Sequence, residues 1–160
     1  METNFTDNWN VWYHHTKDIW TIDGYKSILQ INNAYDFWKL YNNWNTIGGI
    51  TGKHYFIMKN DVEPIWEDPN NINGGCWSFK IADNMAEELW EDLSVLLVTN
   101  ELAENTEVVG LSISIKKNNT SIIKIWNKNS KEHSIKNINK NILKKWKTEI
   151  IYIAHTPDKN

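Results

Sequence analysis

The sequence predicts a two-layer α+β domain, an antiparallel sheet with three helices packed on one face. Two observations carry this. Several segments alternate apolar and polar residues with period two, as strands do when one face is packed and the other is wet. Three other segments repeat apolar residues with the helical period. The length agrees, because 160 residues make one domain. Residues 1–160 are therefore expected to form a single unit.

Taken in order, short strands are expected over 8–14, 18–22 and 25–31. Ala34, Phe37, Trp38, Tyr41 and Trp44 then fall at i, i+3, i+4, i+7 and i+10, and Asn33 with Asp36 resembles a capping box at the start of that helix. A strand over 54–58 follows. Trp77, Phe79 and Ile81 alternate with Cys76, Ser78 and Lys80. The second helix carries Met85, Leu89, Leu93, Leu96 and Leu97, with Asn84 and Glu87 as its start signal. Leu111, Ile113 and Ile115 alternate with Ser112, Ser114 and Lys116, and Ile123 and Ile125 with Ile122, Lys124 and Trp126. Ile135, Ile138, Ile142 and Trp146 mark a third helix, with Ser130 as N-cap. A strand over 149–154 closes the chain.

Parity has a consequence for function. If Leu111, Ile113 and Ile115 face the helices, then Ser112, Ser114 and Lys116 face the open side, and Lys124 shares a face with Trp126. A tryptophan beside lysines on the wet face of a sheet is a candidate ligand site.

Composition excludes several function classes. With 17 basic and 20 acidic residues the net charge is −3, a poor basis for general nucleic-acid binding, which rests on neutralising many phosphates. No apolar run approaches the roughly 18 residues that span a bilayer. The first ten residues lack the basic and apolar blocks of a signal peptide. Cys76 is the only cysteine, so no internal disulfide forms, which suits a reducing, cytoplasmic setting. The five histidines show no metal-ligand spacing with Cys76 or a carboxylate, and are read as surface residues. Glu67 and Asp68, adjacent in sequence, are expected to point apart rather than to work as an acid–base pair. No P-loop, nucleophile elbow or dinucleotide fingerprint is present. No enzyme, cofactor or metal site is expected.

The basic residues are all lysine, and Asn and Ile number 23 and 21, a bias that A·T-rich coding produces. Tryptophan has a G-rich codon, yet there are ten. Most are expected in the core, and a few to stack on a planar ligand.

The most specific stretch is Val62-Glu63-Pro64-Ile65-Trp66-Glu67-Asp68. Tyr35-Asp36-Phe37-Trp38-Lys39-Leu40-Tyr41-Asn42 precedes it, and Asn73-Gly74-Gly75-Cys76-Trp77 follows. In order and near-spacing, and with Trp9 to Tyr13 and Lys124-Ile125-Trp126, these resemble the messenger-RNA cap-binding translation initiation factor 4E family over residues 5 to about 156. The resemblance implies a curved antiparallel sheet of about eight strands with three helices on the convex face. It implies a 7-methylguanosine cap held between Trp20 and Trp66, with Glu67 on the guanine edge and Trp126 at the methyl group. Lys116 and Lys117 match the phosphate-binding region, and Lys124, on the same face, replaces a basic position that falls on Ile122. The family arginine of the Gly-Gly run is Cys76 here, so cap binding is expected to be weaker and more salt-sensitive, because neither Cys nor Lys reproduces an arginine fork.

The chemistry suits the ligand. Methylation makes the purine cationic, and a cation over an indole gains about 0.5–2 kcal/mol. Stacking adds about 1–3 kcal/mol per contact, and charge-assisted hydrogen bonds about 1.5–3 kcal/mol each. Against an association cost of about 4–15 kcal/mol, the base alone binds weakly, so the phosphates must contribute.

On the convex face the resemblance implies a site for a short partner helix, from a scaffold initiation factor or an inhibitory binding protein, at Trp38. The neighbouring positions are Ala34, smaller than usual, and Glu91, polar where the family is apolar. Two other readings stay open: a cap-binding decoy that recruits no scaffold, and a carbohydrate-binding module whose wet-face indoles stack on sugars. A monomer suffices for any of them. Beside the family, the chain is short at both ends, as in a minimal protist or viral version.

Overall fold

Side-chain alternation builds the sheet of the computed structural model, which describes residues 4–16, 18–43, 53–116 and 119–156, with Ile115 and Lys116 by backbone alone. In chain order the elements are β1 (Asn4–His14), β2 (Tyr25–Asn33), α1 (Ala34–Asn42), β3 (Tyr55–Lys59), β4 (Gly75–Ala82), α2 (Asp83–Val98), β5 (Val108–Lys116), β6 (Thr120–Asn127), α3 (Lys140–Lys145) and β7 (Ile150–Ala154). Short 3₁₀ turns occupy Ile22–Gly24 and Ile135–Asn137. The strands form one sheet in the order β2-β1-β3-β5-β6-β4-β7, antiparallel at each junction. The sheet is curved, with the three helices on its convex face.

The period-two pattern separates two apolar layers. Val11, Ile57, Trp77, Phe79, Leu111, Ile113, Ile123 and Ile125 point to the helices and pack with Phe37 and Leu40 of α1, with Leu89, Trp90, Leu93 and Leu97 of α2, and with Ile142 of α3. The intervening residues Phe56, Met58, Cys76 and Trp126 form a second cluster on the concave face with Val62 and Val109. The tryptophans divide in the same way. Trp9, Trp77, Trp90, Trp126 and Trp146 are buried, whereas Trp20, Trp38 and Trp66 are exposed.

Several sequence expectations need correction. The sheet has seven strands rather than about eight, because segment 18–22 is a loop ending in the Ile22–Gly24 turn. In α2, Met85 is exposed and Ala86 is buried instead. That helix starts at Asp83, ahead of the Asn84 signal. Asp83 is anchored by its own N–H to the Asn119 carbonyl and accepts a hydrogen bond from the Ser121 hydroxyl. Ser130 does not cap α3. Ser134 caps the Ile135–Asn137 turn. Asn139 caps α3, accepting from the N–H groups of Asn141 and Ile142, so the expected long helix is two short pieces. For α1 the start holds: Asn33 accepts from the Asp36 N–H at 2.9 Å, and Asp36 accepts from the Asn32 N–H at 3.0 Å. Trp44 lies outside the described residues.

Candidate functional site

A cavity of about 340 Å³ opens on the concave face, lined by Trp20, Tyr25, His54, Phe56, Pro64, Ile65, Trp66, Glu67, Cys76, Ser112, Lys124, Trp126 and His155. Sheet parity delivers its floor. Cys76 pairs with Trp126 across β4 and β6, and Ser112 with Lys124 across β5 and β6, so all four project on one face. The Trp126 indole N–H donates to the Ser112 hydroxyl at 3.0 Å, which fixes a buried ring that would otherwise carry an unpaired donor.

Trp66 and Glu67 stand on the loop between β3 and β4, and the residues beside them explain their outward aim. The Asp68 carboxylate is buried and accepts from the backbone N–H of Glu63 at 2.9 Å and of Asn70 at 2.8 Å. The Asn71 amide, fully buried, donates to the carbonyls of Glu63 and Ile65 at 2.9 and 2.8 Å. Pro64 fixes its own φ between them. Asp68 is therefore a structural brace. It diverges from Glu67 as expected, although both lie on a loop and not on a strand.

Trp20 stands on the loop after β1. Its ring is 57% exposed, and His14 stacks on it with ring centroids 4.2 Å apart and planes inclined at 21°. The His14 Nε2–H donates to the Ile19 carbonyl at 2.7 Å. The loop folds back so tightly that a side chain on Gly24 would strike the Ile19 carbonyl. Glycine is required there for close approach.

The sequence reading missed the histidines. Three of the five are part of this site. His14 is buried behind Trp20, and His54 and His155 line the wall. His54 lies between the Trp20 and Phe56 rings, at 6.1 and 4.4 Å. Burial, reinforced by His14 and Lys124, lowers its pKa to about 4. His155 lies 4.9 Å from Trp126, and burial with Lys124 again lowers its pKa to about 4. Burial pushes the Cys76 thiol up to about 12, which leaves it protonated and unreactive. The Tyr25 hydroxyl is raised to about 12 by burial and by Glu67. Parity along β1, from Trp12 to His14, contained the signal for His14. Among the described residues no group of three or more His, Cys, Asp or Glu side chains is placed to hold a metal ion.

Trp20, Trp66, Glu67, Lys124 and Trp126 are thus brought to one cavity. Lys117 and the side chain of Lys116 lie outside the described residues.

On the convex side a second hollow of about 430 Å³ is lined by Ala34, Tyr35, Trp38, Lys39, Asn42 and Asn43. Phe37 and Tyr41 meet the Trp38 ring edgewise at 4.9 and 6.0 Å. Glu91 does not line this hollow. It stands on α2, where its charge raises the Tyr41 pKa as a lesser cause behind burial. Among the described residues no helix is long and apolar enough to cross a membrane.

Comparison with known proteins converges on one family. A family model described as eukaryotic initiation factor 4E matches residues 4–160. The eukaryotic translation initiation factor NCBP of Triticum aestivum is 32% identical over 114 residues, 69% of this chain and 48% of that protein. Eukaryotic translation initiation factor 4E of Dictyostelium discoideum is 25% identical over 146 residues, 87% of this chain and 58% of that protein. The chain spans about half the length of the curated relatives it matches. Among solved structures, C. elegans eIF4E-3 in complex with the 4E-binding protein Mextli and a cap analog matches with a TM-score of 0.82 at 21% identity, over 97% of this chain and 94% of that one. Schistosome eIF4E complexed with m7GpppG and 4E-BP matches with a TM-score of 0.80 at 20% identity, over 95% and 88%. At such identities the structural likeness bears on the fold.

Proposed function

The chain belongs to the eukaryotic initiation factor 4E family, and on that premise we propose that its concave cavity binds the 7-methylguanosine cap of messenger RNA in translation initiation. The observation that carries this reading is the convergence of two exposed indoles, Trp20 and Trp66, with the Glu67 carboxylate at one cavity. The indoles sandwich the cationic base. Glu67 accepts from the N–H groups of the guanine edge. Trp126, held by Ser112, closes the floor at the methyl group, and Lys124 meets the phosphates with Lys116 and Lys117. The protein acts as a binding module and not as an enzyme, a reading supported by its family membership. We place this activity in the cytoplasm, in a single domain over residues 1–160 that works as a monomer.

The hollow at Trp38 and Ala34 is the second half of the proposal. It receives a short helix of a scaffold factor or of a 4E-binding protein, the partner class found with the C. elegans and schistosome structures.

Tryptophan fluorescence tests the cap site. Titration with 7-methyl-GTP is expected to quench emission from Trp20 and Trp66, with GTP far weaker. An equal response to both ligands removes the methyl selectivity from the proposal. No response to either overturns it, and sugar ligands would be tested next.

A further inference from the structure

The His155 ring turns back into the cavity instead of out to solvent. Its backbone N–H donates to the Gly74 carbonyl at 2.9 Å, which ties the chain leaving β7 to the loop entering β4. Close packing of these strands needs Gly75, because a side chain there would meet the Ile153 carbonyl and the Tyr152 hydroxyl. The His155 ring consequently covers Trp126, with Nε2 lying 3.8 Å from Cys76 Sγ.

Ring contacts run along the wall from Trp20 through His54 and Phe56 to Trp126 and His155. His155 is therefore at the far end from the exposed Trp20 ring. The two fixed charges of the lining act on different neighbours. Glu67 acts on Tyr25, whereas Lys124 acts on His54, Cys76 and His155. Lys124 projects on the same face of β6 as Trp126, so its charge reaches the His155 ring that covers Trp126.

A phosphate chain there meets Lys124, the only lysine lining the cavity among the described residues, and His155 lines the same cavity as a group that can add positive charge. We propose that His155 is a second phosphate ligand of the cavity, taking up a proton from solvent as the phosphate chain docks beside Lys124. This rests on the cap-binding reading above. Burial and Lys124 hold the imidazole neutral. A phosphate placed against both groups reverses the electrostatic balance, because an anion favours the charged imidazole. The groups around the ring are Lys124 of β6 and the Cys76 thiol of β4, with His54 beyond Phe56 and Glu67 on the loop. Among these only the histidines can gain positive charge by taking up a proton.

Calorimetric titration near pH 6, in two buffers of different ionisation enthalpy, counts the protons. The ligand is a capped dinucleotide whose three phosphates are all bridging and do not titrate in this range. The comparison ligand is 7-methylguanosine, which carries none. The dinucleotide is expected to bring about one proton and the nucleoside about none. His155→Gln is expected to abolish the uptake and to weaken the dinucleotide about tenfold while leaving the nucleoside unchanged. His54→Gln is expected to keep the uptake. Binding of both ligands without linked protons overturns this inference alone, as does uptake that survives His155→Gln or disappears in His54→Gln. Binding of neither ligand overturns the cap reading and this inference with it.

Discussion

His14 is stacked on Trp20 at 4.2 Å and is itself tied to the Ile19 carbonyl at 2.7 Å. His14 does not line the cavity, whereas Trp20 does, so the face it covers is the one turned away from a ligand. An exposed indole on a loop would otherwise sample several rotamers, and ordering it would cost affinity on binding. The stack makes that order part of the folded state.

His14→Ala is accordingly expected to weaken 7-methyl-GTP about five- to tenfold, in keeping with an aromatic pair worth about 0.5–1.5 kcal/mol, while the fold persists. His14→Phe restores the stack without the bond to Ile19 and is expected to recover part of the loss. Quenching titrations check both. Unchanged affinity in His14→Ala would show that Trp20 needs no support.

How much of this was legible in the sequence depended on the range of the signal. Period-two alternation on β4, β5 and β6 placed Ser112, Lys124 and Trp126 on one face because parity is local. The same rule, applied to Trp12 and His14, would have placed His14 at the site. Trp66 and Glu67 were legible through their motif, but the brace of Asp68 and Asn71 behind them was not, because its partners Glu63, Ile65 and Asn70 are reached through loop geometry. His54 and His155 come together through long-range strand order, which no local pattern encodes. The apolar spacing of the third helix continues across Asn139, whose side chain caps α3 and so separates it from the 3₁₀ turn before it.

In the proposed cap site Glu67 makes a different kind of contribution from the stacking rings. A carboxylate that accepts from two N–H groups distinguishes guanine from adenine, and its loss leaves donors of a buried base edge unpaired. Glu67→Gln keeps size and one acceptor but removes the charge. Affinity for 7-methyl-GTP is expected to fall by about 1.5–3 kcal/mol, roughly 10- to 150-fold. A competition titration with 7-methyl-GTP and an adenine nucleotide reads the loss of discrimination. Retained preference for guanine would place the reader elsewhere.

Stability carries a pH signature from the two cavity histidines. His54 and His155 have folded-state values of about 4, below the ordinary 6.5. The unfolded chain therefore binds more protons between these limits, and stability rises with pH across that window. The contribution is fully present above about 6.5 and is lost as the pH falls toward 4. Tm of the ligand-free protein is expected to drop over this range, and the drop to flatten in His54→Gln/His155→Gln. A pH dependence identical in the double variant would mean that other groups, such as the carboxylates, account for it.

Trp126 and Ser112 give a test in which stability and binding move together. Ser112→Ala removes the acceptor of a buried indole N–H, which costs about 1–3 kcal/mol. Denaturant unfolding is expected to show that loss, and 7-methyl-GTP binding to weaken because the floor ring is no longer fixed. Trp126→Phe removes the donor, together with the methyl contact proposed for that ring, and leaves the buried Ser112 hydroxyl without its partner. It is expected to cost less stability than Ser112→Ala relative to the ring area lost, but more affinity. Equal stability of Ser112→Ala and the parent would mean the indole N–H finds another partner.

Trp38 separates the two faces. Its ring is 44% exposed yet held edgewise by Phe37 and Tyr41, the state expected of an anchor that receives a partner without rearranging. Large exposed aromatics of this kind carry a disproportionate share of interface energy. Trp38→Ala is expected to weaken a helical peptide from a 4E-binding protein at least tenfold, read by fluorescence anisotropy of the labelled peptide. The variant's quenching by 7-methyl-GTP is expected to match the parent, because Trp38 sits behind the sheet, on the opposite face from Trp20 and Trp66. Ala34→Val enlarges the apolar wall of the same hollow and is expected to tighten the peptide. If the parent ignores the peptide while binding 7-methyl-GTP, the chain holds the cap without this class of partner, which is the behaviour of a decoy.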